Sequence, residues 1–448
     1  MMTSLSASSQ FLLRLSFNFK PFVCLLTRTQ NLHAMQSSNR LNPSRLIDFT
    51  VKDLTVDKLR LIEVPDNATL ADALNAMLLT PKSLFCIKPM ANRVRAVPVA
   101  AVPGQWLGAG GSMIVESDKE TGRAKKQYIG MVTMLDVVAH IAEEEEENGL
   151  DKKMAAHVSS VIGHCPEGRS LWSLNPNTSI MDCMEILSKG IHRVLVPLDS
   201  NVENTSGPEL VESASAYTML TQMDLVSFFL DQSSHLQAIL SCTVTDLSAV
   251  NDNVLAITSK ARVKDAVKCM SMAMLNAVPI VESSSDEEDH TQLVDGKNRR
   301  VVGTFSASDL KGCHLATLRS WLPLNALEFA ENIPRTPLFA SAPARELVTC
   351  HVTSTLVQVI RMATTRRVHR VWVVDKNDGL QGLVSLTDII AANDCLFGIK
   401  ARNNESCCLT ETLSLDGTFH HFKLSRKITK ASNLFQHHHV LVQDATMH

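Results

Sequence analysis

Four times along this chain a Ser or Thr closes a β-branched run three residues before an Asp: Thr133/Asp136, Thr221/Asp224, Ser306/Asp309 and Ser385/Asp388. A hydroxyl and a carboxylate at that spacing have two uses. They can cap a helix, by satisfying backbone N–H groups that have no partner in its first turn. Alternatively the carboxylate, whose two oxygens both accept hydrogen bonds, can hold a vicinal diol. The uses are compatible, so recurrence alone does not separate them. A second constellation is basic. His192-Arg193 and His369-Arg370 open two of the β-branched runs, Arg366 and Arg367 stand just before the second, and Arg93 and Arg95 precede a third. The remaining copy reads Asn276-Ala-Val-Pro and carries no charge there. If these cations converge they repel by roughly 1–4 kcal/mol per close pair, depending on the dielectric. An anion would relieve that. Phosphate suits it, because guanidinium pairs with it bidentately and imidazole adds a hydrogen bond. Carboxylates of neighbouring segments or of a partner chain would serve equally well, and the residues alone leave both open.

The elements that must carry these groups repeat as well. Apolar residues recur at i, i+3, i+4, i+7 in Leu70/Ala73/Leu74/Met77, Ile180/Cys183/Met184/Leu187, Val263/Ala266/Val267/Met270 and Leu356/Val359/Ile360/Ala363. That spacing puts one face of each of four helices on a core. Each helix leads to a short strand (RVRAVPVA, HRVLVPLD, NAVPIVES, HRVWVVD), then to a second strand with the Ser/Thr–Asp ending, then to another apolar helix. The anchors Leu70, Ile180, Val263 and Leu356 are 110, 83 and 93 residues apart. The predicted fold class is mixed α/β, with repeats over 50–147, 154–235, 244–320 and 345–395. A unit this small can hardly bury its sheet alone, and packing in pairs would solve that. The stretches EEEEENGLDKK (143–153), SSHLQAILS and LPLNALEFAENIPRTPLFASAPARE read as linkers.

Composition narrows the function classes. The chain has 448 residues, 45% of them hydrophobic and 20% charged, with a net charge of −3, which gives no global case for nucleic-acid binding. No apolar run is long enough to span a membrane. Eleven scattered cysteines without a CxxC pair suggest reduced thiols and a cytoplasmic or nuclear setting. The sequons at Asn67 and Asn177 then read as chance. Residues 1–47 hold five basic residues and no acidic one. That resembles an organelle transit peptide, although an upstream start with Met35 as initiator is the reading preferred here. No nucleophile–base set or paired acids stand in a recognisable frame, which favours a regulatory protein over an enzyme. GAGG at 108–111 lacks the Lys-Ser/Thr of a phosphate loop. SSSDEED (283–289) reads as a solvated loop. His164-Cys165 lacks partners at ligand spacing, and His420, His421 and His437–His439, which could bind a metal adventitiously, read as a disordered tail, so no metal is expected.

The four strand endings and the two HRV strand starts resemble the cystathionine-β-synthase (CBS) motif. Four copies in one chain resemble the γ subunits of AMP-activated and sucrose-non-fermenting protein kinases, and the plant γ-like branch in particular, over about residues 50–392. The resemblance implies a disk of two tandem CBS pairs with near fourfold symmetry and nucleotide clefts (AMP, ADP or ATP) facing its centre. It carries a ribose role onto Asp136, Asp224, Asp309 and Asp388, beside Thr133, Thr221, Ser306 and Ser385. It carries a phosphate role onto Arg93, Arg95, His192, Arg193, His369 and Arg370. Val97, Pro98, Val194, Val278, Pro279 and Val371 could line an adenine slot or simply be core. It further implies a non-catalytic subunit that binds a kinase α subunit and a scaffolding β subunit, with no nucleic-acid or membrane partner. Repeat three should contribute least to phosphate. A stand-alone CBS sensor of adenosyl ligands and a ligand-free scaffold are the alternatives.

Two departures from the repeat are expected to matter. The interval from helix anchor to strand proline is 28 residues in repeat one (Leu70 to Pro98), against 17 (Ile180 to Pro197) and 16 (Val263 to Pro279) in the next two. LLTPKSLFCIKP (78–89) therefore reads as an insertion, whose prolines would break a helix. Beyond Asp388 the closing helix reads as truncated or replaced, with 396–448 a disordered tail. A retained intron or alternative exon is the expectation for 78–89, with a genuine loop as the alternative, and the same mis-splicing origin is the expectation for 391–448.

Overall fold

Each β-branched run singled out above becomes the middle strand of a small sheet. The computed structural model describes residues 46, 48–56, 58, 61–78, 96–101, 128–142, 149–163, 168, 171–198, 208–210, 217–285, 287–312, 320–333 and 347–394. Repeat one contains β1 (Val64–Pro65), α1 (Leu70–Leu78), β2 (Ala96–Ala100), β3 (Tyr128–Thr133) and α2 (Met134–Ala142), and α3 (Gly149–Met154) follows it. Repeat two contains β4 (Trp172–Leu174), α4 (Ile180–Leu187), β5 (Arg193–Pro197), β6 (Pro208–Leu210), β7 (Tyr217–Thr221) and α5 (Gln222–Asp231), followed by α6 (Gln237–Leu240). Repeat three contains β8 (Leu255–Thr258), α7 (Val263–Met272), β9 (Ala277–Val281), β10 (Val294–Asp295), β11 (Val301–Ser306), a 3-10 turn (Ala307–Gly312) and α8 (Ala326–Asn332). Repeat four contains β12 (Thr349–Cys350), α9 (Leu356–Arg366), β13 (Arg370–Val374), β14 (Leu380–Ser385) and α10 (386–394).

The topology is the same four times. The first strand pairs parallel with the middle one, which pairs antiparallel with the last. In repeats two and three β6 and β10 extend the sheet beyond the first strand. The sequence reading missed β1, β4, β8 and β12. At two to four residues these strands are too short to show alternation.

The four helical stripes are buried as their spacing requires, and they assemble two cores. One joins repeats one and three: Leu135, Val137 and Ile141 lie with Val263, Val267 and Met270. The other joins repeats two and four: Leu225 and Phe229 lie with Leu356, Val359 and Ile389. The sheets close the remaining sides. Tyr128 and Tyr217 meet edge to face at 5.8 Å between repeats one and two. Val254, Val281 and Val301 pack on Trp372, Val374 and Leu380 between repeats three and four, where the Trp372 indole donates to Thr304 Oγ1 at 2.7 Å. Contact therefore runs one–two–four–three–one, as two tandem CBS-type pairs joined through their helices.

Two expectations change. The segment between repeats three and four is not plain linker, because it folds α8, capped by Asn325 Oδ1, which accepts from the Leu327 and Glu328 N–H groups. Phe329 of that helix is fully buried, 5.6 Å from the Phe305 ring and 4.8 Å from Trp321. The closing helix is also present. Across 386–394 it buries Leu386, Ile389, Ile390 and Ala392. Most of the proposed insertion and everything after 394 lie outside the described residues, as do GAGG, His164-Cys165 and the tail histidines. Deleting a buried aromatic ring removes transfer energy and leaves a cavity. Phe329→Ala is expected to lower the unfolding free energy by about 3–5 kcal/mol, read from urea denaturation of the full chain.

Candidate functional site

One register recurs in all four sheets. The last residue of the final strand pairs with the first residue of the middle strand: Thr133 with Ala96, Thr221 with Arg193, Ser306 with Ala277 and Ser385 with Arg370. The next N–H closes the corner onto the preceding carbonyl: Gln222 to His192 at 3.1 Å, Ala307 to Asn276 at 3.0 Å, and Leu386 to His369 at 3.1 Å. Three residues before the middle strand the chain turns through the left-handed region, at Gly190 (φ 90), Met274 (φ 55) and Arg367 (φ 52). A left-handed residue costs a side chain roughly 1–2 kcal/mol, so the turn is a fixed requirement of the route from helix to strand. The His–Arg pairs are thus set beside the Ser/Thr–Asp endings by main-chain geometry.

The register also sorts the basic residues. Arg193 and Arg370 hold the same place in repeats two and four, and Ala96 and Ala277 hold it in repeats one and three. Arg95 corresponds to His192 and His369, and Arg93 to the turn residue Arg367. Both Arg93 and Arg95 lie outside the described residues. The two cationic corners are linked directly. Gln222, next to Thr221, donates from Nε2 to Thr387 Oγ1 at 2.9 Å and to the Leu187 carbonyl at 3.0 Å. Thr387 stands between Ser385 and Asp388. A single side chain therefore bridges the strand openings of Arg193 and Arg370. Gln222 and Thr387 carried no sequence signal, because their partnership is long-range.

The Asp carboxylates cap their helices. Oδ2 of Asp136 accepts from the Thr133 N–H (2.7 Å) and hydroxyl (2.6 Å). Asp224 does the same with Thr221 at 2.7 and 2.6 Å, and Asp388 with Ser385 at 2.8 and 2.6 Å. Asp309 accepts the Ser306 N–H at 2.9 Å, while the Ser306 hydroxyl turns to Ser308 Oγ at 2.9 Å and to the Asn276 carbonyl at 3.3 Å. Capping uses Oδ2 in every copy, so a diol would have to be met by Oδ1. Similar N–H and hydroxyl bonds from Thr69 hold the Asp72 carboxyl below the usual carboxylate range at the start of α1.

Their surroundings differ. Asp136 is fully buried and Asp309 is 2% exposed. Asp224 and Asp388 are half-buried. Gly168 lies directly over the first: a Cβ there would stand 2.7 Å from the Met131 carbonyl and 3.7 Å from Asp136 Oδ1, so only glycine lets the backbone approach so closely. Over the second, Lys58 from the segment ahead of β1 places its ammonium 2.6 Å from Asp224 Oδ2 and 2.8 Å from the Met219 carbonyl. Lys58 was not predicted, since 166 residues separate it from its partner. Among the described residues no group of three or more His, Cys, Asp or Glu could hold a metal ion, and no helix is long and apolar enough to cross a membrane.

Comparison with known proteins follows the same lines. Residues 340–394 match the CBS domain family. The chain is 78% identical over 351 residues to the Arabidopsis thaliana protein named SNF1-related protein kinase regulatory subunit gamma-like PV42b, covering 78% of this chain and 95% of that one. It is 53% identical over 361 residues to the Arabidopsis gamma-like protein PV42a, covering 79% and 97%. A solved Methanocaldococcus jannaschii protein aligns with a TM-score of 0.48 and 16% identity, over 76% of this chain and 99% of its own.

The caps give a graded test. Removing a capping hydroxyl typically costs about 1 kcal/mol. Ser385→Ala is expected to destabilise by about that amount. The coupling between hydroxyl and carboxylate, read from a double-mutant cycle by urea denaturation, is expected to be larger for Ser385/Asp388 than for Ser306/Asp309, because the Ser306 hydroxyl bonds to Ser308 and Asn276 instead. Equal couplings would contradict the hydrogen-bond assignment.

Proposed function

Because this chain belongs to the SNF1-related protein kinase gamma-like regulatory subunits, we propose that its paired repeats two and four bind an adenine nucleotide within a complex with a kinase α subunit and a scaffolding β subunit. The chain is a regulatory, non-catalytic subunit. The observation that carries the nucleotide reading is the asymmetry of the register: Arg193 and Arg370 face Thr221 and Ser385 across one helix-joined pair, where Ala96 and Ala277 stand in the other. Cations gathered on one half favour an anion there, and a phosphate can be shared by two guanidinium groups and two imidazoles.

In this reading His369 and Arg370, with His192 and Arg193 across the Gln222–Thr387 bond, take the phosphate. Asp388, half-buried, would meet the ribose while its Oδ2 stays on Ser385. The buried aspartates of repeats one and three serve as caps. The nucleotide regulates only if it binds two arrangements of the kinase complex with different affinity. The complex would work in the cytoplasm, the nucleus or both.

Calorimetry on the purified full chain with AMP, ADP, ATP and S-adenosylmethionine tests the ligand. We expect adenine nucleotide to bind and Arg370→Ala with Asp388→Ala to weaken it at least about tenfold, since one charge-assisted hydrogen bond contributes about 1.5–3 kcal/mol. Unchanged affinity in the double variant would refute the site. Binding of S-adenosylmethionine alone would make the chain an adenosyl sensor of another kind, and no binding at all would leave it a scaffold. Co-purification of folded protein with α and β kinase subunits tests the assembly, and failure to retain either would refute it.

A further inference from the structure

The segment ahead of β1, counted in repeat one by the sequence bounds of 50–147, does not serve that repeat. It lies on repeat two, more than a hundred residues away in sequence. Leu46 and Val51 are buried in the core shared by repeats two and four. The Val51 N–H donates to the Thr178 carbonyl at 2.9 Å and the Lys52 N–H to Pro176 at 2.8 Å, while Ile180 N–H donates back to Phe49 at 3.1 Å. The Phe49 ring stands edge-on to Phe228 at 5.1 Å. Farther along, Leu61 N–H donates to the Tyr217 carbonyl on β7 at 2.9 Å. The strap is therefore fixed at both ends, and Lys58 lies between them.

Its ammonium reaches the carboxylate on which the ribose reading depends. Asp224 Oδ2 accepts three donors: the Thr221 N–H, the Thr221 hydroxyl and Lys58 Nζ, at 2.7, 2.6 and 2.6 Å. Nζ also holds the Met219 carbonyl of β7, and the Lys58 and Asp224 side chains are only 24% and 27% exposed. A ribose diol would have to come to Oδ1, and so to a carboxylate whose charge a fixed ammonium already compensates through a charge-assisted hydrogen bond, roughly twice as strong as a neutral one.

We propose that Lys58 is a built-in counter-ion that decides which cleft fills: it closes the repeat-two cleft to nucleotide and leaves occupancy to repeat four. This rests on the nucleotide reading above. Displacing the strap by substitution opens a second site with Asp224 as its ribose contact, sharing the His192–Arg193 pair with the first.

The probe is AMP, titrated calorimetrically into the full-length chain. Lys58→Met keeps the aliphatic stem and removes the charge. It is expected to bind one AMP per chain more than wild type, and adding Asp224→Ala should remove the extra site. Lys58→Arg keeps the ion pair and should retain the wild-type stoichiometry. If Lys58→Met proves unstable by circular dichroism, Lys58→Gln gives the same readout. Unchanged stoichiometry in the charge-removed variant overturns the proposal. So does weaker binding, which would make Lys58 a phosphate ligand. Wild-type binding that depends on Arg370 and Asp388, with no gain in Lys58→Met, defeats this inference alone. Absence of AMP binding in both chains defeats the nucleotide reading with it.

Discussion

The pairing of the last residue of β3, β7, β11 and β14 with the first residue of the middle strand constrains everything at the candidate site. Side chains alternate along a strand, so a slip of one residue would send each charge to the opposite face. With the register held, a Ser or Thr always stands opposite position one of the middle strand, and the residue at that position decides the local charge. Arg193 and Arg370 put a guanidinium opposite that hydroxyl in repeats two and four, and Ala96 and Ala277 put none there in repeats one and three. The left-handed turns at Gly190, Met274 and Arg367 deliver the chain to that register. The carbonyls of His192, Asn276 and His369 then lock it by accepting the first N–H beyond the last strand.

Around this constraint the apolar stripes do the assembling. A sheet of three or four strands with two short helices has too little interior to stand alone, and each repeat here shares its helices with one neighbour and its sheet with another. The cationic corners of repeats two and four face each other because α5 and α9 pack together, and the Gln222–Thr387 hydrogen bond is the polar expression of that packing. The structure thus couples a stability requirement to a charge arrangement. The helices that bury Leu225, Phe229, Leu356 and Val359 are the ones that bring the two His–Arg pairs to one place.

Much of this was legible in residue spacing. The helical stripes and the four strand endings specified the repeat, and the missing charge in repeat three followed from Asn276-Ala277. Other features were not legible, for physical reasons. Thr69/Asp72 and Ser179/Asp182 have the spacing of the candidate sites but cap α1 and α4, because a helix start needs such a pair whether or not a ligand is near. Arg93 and Arg95 looked equivalent to His–Arg pairs until the register placed Ala96 at the arginine position. The segment holding α8 was masked by its prolines and alanines, although Asn325 before Ala-Leu-Glu-Phe is a readable cap. The burial of Asp136 beneath Gly168 and the reach of Lys58 to Asp224 depend on chain crossings that no local pattern encodes.

The order of contacts around the molecule, one–two–four–three, differs from the order of the chain. Covalent continuity follows the sheet seams, from one to two and from three to four, and the passage from two to three cuts across. The helix seams therefore join segments remote in sequence, and neither tandem pair encloses its own helices. A half-chain released from the other would carry two bare apolar flanks. In this molecule the smallest unit that hides its oil from water is the complete circuit of four.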